Sequence, residues 1–201
     1  MMTLERCIEW GVAERALASE GASGDRWLLQ ATRYGVLMAV VDGLGHGSPA
    51  AEAAGRACEA LVHHAEEPLD ILMSRCHAAL GPTRGAVISL ARLDPSARAL
   101  SWLGVGNVEG LIWPTGNTEP PARLISRGGV VGSLLPRLVV ETLTVGAGDT
   151  LVFCTDGIQS TFGDAAPVAL APQLLADRIL LDFGKASDDA LVLVVRFRTP
   201  A

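Results

Sequence analysis

The sequence has few aromatic residues, a single lysine (Lys185) and no long apolar segment. Aromatic residues make up 4% of the 201 residues although 49% are hydrophobic, so we expect a core of Val, Leu, Ile and Ala. Acidic residues outnumber basic ones, 22 against 16, which gives a net charge of −6. A surface of this charge repels nucleic-acid phosphates and anionic membrane lipids. We therefore expect neither a nucleic acid nor a membrane as partner.

The sequence also lacks a membrane span, a secretory signal and a zinc motif. Mean hydropathy is +0.34, but the longest apolar runs, such as residues 36–41 and 190–195, are far shorter than the roughly 20 residues that cross a bilayer. The first residues contain no apolar segment of the kind that directs secretion. Cys7, Cys58, Cys76 and Cys154 are not in CxxC spacing, which favours reduced thiols. These features predict a cytoplasmic protein.

Short apolar segments separated by glycine and proline indicate a strand-rich single domain over residues 1–201. Strands are predicted at residues 34–41, 85–93, 99–105, 109–113, about 139–145, 150–155 and 190–196. Helices are predicted at about 48–66, 68–80 and 173–181, with Ser48 as N-cap and Pro49 at the first helical position. Since strands and helices do not alternate as βαβ units, the pattern predicts an α+β fold of face-to-face antiparallel sheets covered by helices.

Aspartates stand at the ends of three of the predicted strands. Asp42 and Asp156 each end an apolar strand, and Asp188 and Asp189 precede the last one. If the last strand is antiparallel to the other two, its start lies beside their ends, and the carboxylates converge at one rim of the sheet. Their mutual repulsion is offset by a hard divalent cation, and oxygen ligands suit Mg²⁺ or Mn²⁺. The pattern therefore predicts a metal site.

Glycine directly follows two of these acids, as Asp42-Gly43 and Asp156-Gly157. Because glycine allows close approach of the backbone, the Gly43 carbonyl is a candidate ligand. The alternative is that each Asp-Gly pair is an ordinary turn, which is the commoner role of a single pair. Three acidic clusters at strand ends favour the metal site over three unrelated turns.

Six motifs occur in the order of a known family and cover about residues 5–198. They are Ser23-Gly24-Asp25, Val41-Asp42-Gly43-Leu44-Gly45-His46-Gly47, Thr83-Arg84-Gly85-Ala86, Gly104-Val105-Gly106-Asn107, Thr155-Asp156-Gly157 and Ser187-Asp188-Asp189. As an ordered set they resemble the type-2C-like, metal-dependent Ser/Thr phosphatases of the PPM superfamily, in the SpoIIE/RsbU/RsbX branch. The short chain, without a sensor module, is most similar to the stressosome phosphatases of the RsbX type.

The resemblance implies an α-β-β-α sandwich of four layers with two Mn²⁺ or Mg²⁺ ions at one edge. The implied ligands are Asp25, Asp42, Gly43, Asp156, Asp188 and Asp189. Asp42 would bridge both ions and the Gly43 carbonyl would bind one, while Asp156 and Asp188 would hold the other. Asp25 would contact a metal or its water, and Asp189 is a second-rank ligand. The implied reaction is attack of a metal-bridging water on phosphoserine or phosphothreonine of partner proteins, such as the STAS-domain proteins of a stressosome.

The sequence departs from the eukaryotic members of the family at the phosphate-binding position. Those enzymes carry an arginine shortly before the first acidic motif, whereas residues 20–24 contain none. Arg15 and Arg26 are the nearest basic residues, and neither matches, so the metals are expected to carry the substrate phosphate. His46, four residues after Asp42, is a candidate to protonate the leaving serine oxygen. Its alternative role is to hold the loop by bonding to backbone.

Three other functions are alternatives to a metal-dependent protein phosphatase. The loop from Gly43 to Gly47 has GxGxG and not GxGxxG spacing, and Asp42 would face a pyrophosphate, which argues against nucleotide binding. A catalytically inactive module that binds phosphoproteins is the second hypothesis, although the acidic motifs are all retained. A phosphoesterase acting on small molecules is the third.

Overall fold

The computed structural model describes residues 3–17, 21–117, 120–164 and 169–198. The strands within these ranges form two five-stranded antiparallel sheets. Sheet I has the order β1 (Ile8–Arg15), β10 (Ala190–Phe197), β9 (Thr150–Cys154), β6 (Glu109–Trp113), β7 (Ala122–Leu124). Sheet II has the order β2 (Asp25–Thr32), β3 (Gly35–Gly43), β4 (Ala86–Asp94), β5 (Ala99–Val105), β8 (Glu141–Thr144). The helices are α1 (Leu4–Cys7), α2 (Ser48–His63), α3 (Leu69–Leu80) and α4 (Pro172–Phe183), and short 3₁₀ helices cover Thr115–Asn117 and Ser160–Asp164.

The two sheets pack face to face and helices cover their outer faces. On β3, Val36, Met38 and Val40 point into the core between the sheets. The intervening Leu37 and Ala39 face α2 and α3 instead. Because successive side chains of a strand point to opposite faces, a strand covered on both sides is apolar throughout. The predicted four-layer α-β-β-α sandwich is confirmed.

The same arrangement explains the last strand. Leu193 and Val195 of β10 belong to the core between the sheets, whereas Val192 and Val194 pack against α4. The predicted strand at 190–196 and the predicted helix at 173–181 are therefore confirmed as β10 and α4. None of the helices in the described ranges has the length and apolar character needed to cross a membrane.

The start of α2 differs from the prediction. Gly47, with φ of 71°, is the N-cap, and Ser48 is already helical and gives no side-chain cap. A positive φ favours glycine, so the chain turns from the loop into the helix one residue earlier than expected. Small residues on α2, such as Ala53 and Ala54, are fully buried. They allow the helix to lie close to sheet II beside Gly43.

Three strands, β1, β2 and β7, were not predicted from the sequence. β1 and β2 are the edge strands of their sheets, and both mix charged with apolar residues, which obscures the strand pattern. β7 has only three residues. On β1 the backbone of Val12 is bonded to the Gln173 side chain of α4, from N–H to Oε1 at 3.1 Å and from Nε2 to C=O at 2.8 Å. The helix therefore covers this sheet edge.

A candidate metal centre between the two sheets

Sheet II contributes two of the predicted acids. Asp25 begins β2 and Asp42 lies near the end of β3, and the two are direct partners in the antiparallel register. The Gly43 N–H donates to the Gly24 carbonyl at 3.1 Å, which continues the pairing past Asp42. Like charges placed opposite one another in a sheet repel. The register therefore creates a pair of carboxylates that needs compensation.

Sheet I contributes the other acids. Asp156 follows β9 and Asp189 directly precedes β10, and these two strands are antiparallel neighbours. Gly157 permits the close approach, because a Cβ at that position would lie 1.8 Å from the Asp189 carbonyl oxygen. Asp188 is held beside Asp189 by a hydrogen bond from the Asp189 N–H to Asp188 Oδ1 at 2.9 Å.

The acids converge as predicted, but not on one sheet. Asp42 and Asp156 were predicted at one rim of a single sheet, whereas β3 belongs to sheet II and β9 to sheet I. The reason is that β10 pairs with β9 and β1 and does not pair with β3. The predicted cluster therefore forms where the ends of two packed sheets meet.

Hydrogen bonds join the two groups of acids. Thr155 donates from Oγ1 to Asp25 Oδ2 at 2.7 Å, and the same Oγ1 accepts from the Leu191 N–H at 2.9 Å. Asp189 accepts from the Gly24 N–H at 2.7 Å and from the Leu17 N–H at 2.6 Å, one on each carboxylate oxygen. Asp25 and Asp189 are only 3% and 5% exposed. Both therefore lie behind the site and connect its two halves.

A cleft of about 570 Å³ opens in front of them. We call it the acidic cleft, and it is lined by Leu17, Asp42, Leu44, Gly45, His46, Val87, Gly106, Asn107, Gly128, Gly129, Asp156, Ser187 and Asp188. Three predicted ligands, Asp42, Asp156 and Asp188, face this cleft. His46 is exposed at its edge, as expected for either of its two predicted roles.

The electrostatics of the site follow from this convergence. Burial, together with the charges of the other four aspartates, raises the pKa of Asp42 to about 8. Burial likewise raises the pKa of Asp25 to about 7, although the hydrogen bond from Thr155 works in the opposite direction. The pKa of Asp188 is also raised, first by burial and then by Asp156. The raised pKa values show that the positive groups of the protein do not balance the negative charge of the clustered carboxylates.

The residues present fit divalent ions. Within the described ranges no group of three His, Cys, Asp or Glu side chains is positioned to hold one metal ion. Each ion would therefore complete its coordination shell with carbonyl oxygens and water. Such partly hydrated, all-oxygen coordination is typical of Mg²⁺ and Mn²⁺. The Gly43 carbonyl lies beside Gly24, with its oxygen 3.2 Å from the Cβ position of that glycine. The ligand roles of all six predicted residues stay predictions.

Two side chains outside the set of predicted ligands position Asp156. Asn107 donates from Nδ2 to Asp156 Oδ2 at 2.9 Å. Lys185 donates from Nζ to the Asp156 carbonyl at 2.5 Å. The Gly104–Asn107 motif pointed to Asn107 from the sequence. No sequence feature pointed to Lys185, because its contact depends on the turn before β10.

Comparison with known proteins identifies the family. The sequence profile described as Stage II sporulation protein E (SpoIIE) matches residues 32–198, most of the chain. The chain belongs to the SpoIIE family. This is the branch of type-2C-like, metal-dependent Ser/Thr phosphatases that the motifs predicted, and the prediction of a phosphatase is confirmed at that level.

Individual members of the family and of the fold support the assignment. The phosphoserine phosphatase RsbX of Bacillus subtilis (strain 168) is 28% identical over 145 residues, which are 71% of each chain. A protein solved in work on the bacterial stressosome, a modular system adapted to control secondary messenger signalling, is 30% identical with a TM-score of 0.85. That match covers 94% of this chain and 99% of the other.

Two more distant structures contain metal ions. RsbX in complex with magnesium has a TM-score of 0.85 at 20% identity and covers 98% of both chains. The phosphatase PstP in complex with two manganese ions has a TM-score of 0.74 at 15% identity, over 96% of this chain and 99% of that one. The predicted ion class, Mg²⁺ or Mn²⁺, is thus the class that these relatives of the SpoIIE fold bind.

Proposed function

We propose that the acidic cleft of this SpoIIE-family member hydrolyses phosphoserine or phosphothreonine on partner proteins with two Mn²⁺ or Mg²⁺ ions. The observation that carries the proposal is the convergence of five aspartates from two sheets, with the pKa of Asp42 raised to about 8. A site that holds so many carboxylates without matching protein cations favours divalent ions strongly.

The proposed ligands divide between the two sheets. Asp42 would bridge the ions and the Gly43 carbonyl would bind one of them, while Asp156 and Asp188 would hold the other. Asp25 would contact a metal or its water and Asp189 would be a second-rank ligand, and both are buried and hydrogen-bonded across the site. When bound, such ions make a coordinated water more acidic and offset the negative charge of the phosphate oxygens.

The remaining residues of the cleft supply orientation and a proton. Asn107 and Lys185 fix the side chain and the carbonyl of Asp156, so the carboxylate is oriented before substrate arrives. His46 is exposed at the edge of the cleft, and we assign it the transfer of a proton to the leaving serine oxygen. An open cleft of this kind suits a phosphoryl group carried on a protein surface.

We further propose that the substrates are phosphorylated signalling proteins with STAS domains and that the enzyme acts in the cytoplasm. The support is the similarity to RsbX and to a protein solved in work on the stressosome. Metal-centred sites recognise phosphate more than its carrier, so partner choice is expected to reside in surface contacts.

The test is metal-dependent turnover of three substrates in parallel: a phosphoserine peptide, a phosphorylated STAS domain and para-nitrophenyl phosphate. We expect activity with Mn²⁺ that chelation abolishes, and no detectable turnover by Asp42→Asn. The matched control is Asp70→Asn, which makes the same change at the start of α3, beside Tyr34 and Arg92 at the far end of β3 and β4.

Each alternative function predicts a different pattern. A protein that binds Mn²⁺ and phosphopeptide without turnover is a binding module, and the proposal is then wrong. Turnover of a sugar phosphate or a cyclic dinucleotide, with none of the phosphoproteins, identifies a small-molecule phosphoesterase instead.

A further inference from the structure

Arg84 stands on a tightly fixed turn between α3 and β4. Thr83 Oγ1 donates to the Leu80 carbonyl at 2.7 Å and accepts from the Gly85 N–H at 3.0 Å. Gly85 has φ of 85°, and a Cβ there would lie 2.7 Å from the Val131 carbonyl oxygen. Because the turn is bonded on both sides of Arg84, its Cα has a defined position.

The turn is connected directly to the loop of the acidic cleft. The Gly85 carbonyl accepts from the Leu44 N–H at 3.0 Å, and Leu44 lies two residues after Asp42. The next residue along the loop, Gly45, lines the cleft with φ of 90°, and its Cβ position is 2.9 Å from Nη1 of Arg84. The guanidinium therefore lies against Gly45, at the edge of the cleft.

The guanidinium of Arg84 makes no hydrogen bond or ion pair with any residue in the part of the chain that the structure describes, and its side chain is exposed. Three other cations near the site donate to backbone carbonyls. Arg26 donates to the Ser23 and Asp25 carbonyls, Lys185 donates to the Asp156 carbonyl, and Arg15 donates to the Lys185 carbonyl. Arg84 is thus a positive group beside the acidic cleft whose donors are available to a ligand.

We propose that Arg84 binds the phosphoryl group of the substrate at the edge of the acidic cleft beside Gly45. The proposal rests on the proposed function and supplies the phosphate-binding arginine that the region before Asp25 lacks. A guanidinium presents two parallel N–H donors that match two oxygens of a phosphate, and such charge-assisted hydrogen bonds are among the strongest in proteins. Since Gly45 has no side chain, the guanidinium lies directly against the loop that carries Asp42.

The test compares Arg84→Ala, Arg84→Lys and the control Arg56→Ala, which removes an exposed arginine of α2 that is paired with Glu52. Steady-state kinetics are measured with para-nitrophenyl phosphate and with a phosphoserine peptide in saturating Mn²⁺. We expect Arg84→Ala to lower kcat/KM by roughly 10- to 100-fold on both substrates, as for loss of a charge-assisted hydrogen bond. The kcat/KM of Arg84→Lys should lie between those of wild type and Arg84→Ala, and the kcat/KM of Arg56→Ala should match wild type.

Two further readouts separate the possible failures. Inorganic phosphate is titrated into the Mg²⁺-loaded wild type and Arg84→Ala by calorimetry, and we expect weaker binding by the variant whether or not turnover is seen. Mn²⁺ affinity and thermal unfolding should be unchanged, since Arg84 touches no proposed ligand. Equal phosphate binding by both proteins overturns the proposal. A loss confined to the peptide also overturns it, because Arg84 then binds a neighbouring residue of the partner and not the phosphoryl group.

A wild-type protein that binds metal and phosphate but has no phosphatase activity contradicts the proposed function alone. In that case the calorimetric comparison still decides the role of Arg84.

Discussion

Thr155 donates a hydrogen bond to the buried carboxylate of Asp25 at 2.7 Å, and this contact joins sheet I to sheet II at the candidate metal centre. The same hydroxyl accepts from the Leu191 N–H at the start of β10. One side chain therefore satisfies a buried acid and a buried backbone group together. Because Thr155 directly precedes Asp156, these two hydrogen bonds also fix the backbone next to Asp156.

Replacing this hydroxyl should weaken both the fold and the metal site. Thr155→Val keeps the volume but leaves Asp25 Oδ2 and the Leu191 N–H without their partner, which should cost about 1–3 kcal/mol of unfolding free energy. Urea unfolding and Mn²⁺ titration measure the two effects. Thr155→Ser, which keeps the hydroxyl, and Thr144→Val, on the exposed edge strand β8, should stay close to wild type. An unchanged urea midpoint for Thr155→Val contradicts the assignment.

The metal-free protein should lose stability as pH rises. The pKa values of Asp25 and Asp42 in the folded chain are about 7 and about 8, above the value near 3.9 of an unfolded aspartate. The folded state therefore binds these protons more tightly, and this stabilisation is complete below about pH 4 and is lost as pH rises through 7 and 8. Thermal unfolding in chelator between about pH 5 and pH 9 measures the slope.

Asp42→Asn tests the origin of this pH dependence. Without metal at about pH 8 the variant should melt several degrees above wild type, because it removes a buried charge. With Mn²⁺ the order should reverse, since the ion stabilises only the wild-type site. A pH slope that is the same in both proteins shows that other groups cause it.

Asn107 should influence metal affinity more than stability. Its side chain is exposed and donates to Asp156 Oδ2 at 2.9 Å, so Asn107→Ala leaves the carboxylate free to rotate. Loss of such an outer hydrogen bond typically weakens metal binding by about 10- to 100-fold. Calorimetric titration with Mn²⁺ measures this, with Gln30→Ala on β2 as the control. Unaltered affinity is evidence that Asp156 is oriented by other contacts or does not ligate.

Two glycine substitutions should act in opposite directions. Gly157→Ala should disrupt the site, because its Cβ would lie 1.8 Å from the Asp189 carbonyl oxygen. Gly55→Ala, on α2, meets nothing within 4 Å and should stabilise the helix by about 0.5–1 kcal/mol. Melting temperatures of the two variants check the pair. If Gly157→Ala keeps wild-type stability and metal affinity, the approach of the β9 and β10 ends is looser than described.

The buried strands were predicted well from the sequence, because a strand that is covered on both faces consists almost entirely of apolar residues. β3 and β10 are covered on both faces, so their apolar runs and the acids beside them were evident. β1 and β2 escaped because edge strands carry charges that interrupt the pattern. The Gly47 cap was missed because the preference of Ser48 for an N-cap was overridden by a backbone turn that only glycine adopts readily.

The site was predictable in its members but not in its assembly. Periodicity along one strand indicates which residues face inward, yet it does not specify which sheet a strand joins. The strand ends therefore predicted correctly that Asp42 and Asp156 lie together, but the prediction that β3 and β9 share a sheet was wrong. The role of Asp25 was predicted from its motif alone. Its position opposite Asp42 depends on β2, a strand that was not predicted. The reach of Arg84 to Gly45 depends on tertiary packing that no local pattern encodes.

Because the aspartates are divided between two sheets, the proposed catalytic centre forms only when both parts of the chain are present. A proteolytic fragment ending before β9 would keep Asp25 and Asp42 on adjacent strands, but it would lack both Asp156 and Asp188. Neither half retains enough oxygen donors for a partly active enzyme. Loss of the chain after β8 should therefore extinguish function completely instead of lowering it in proportion.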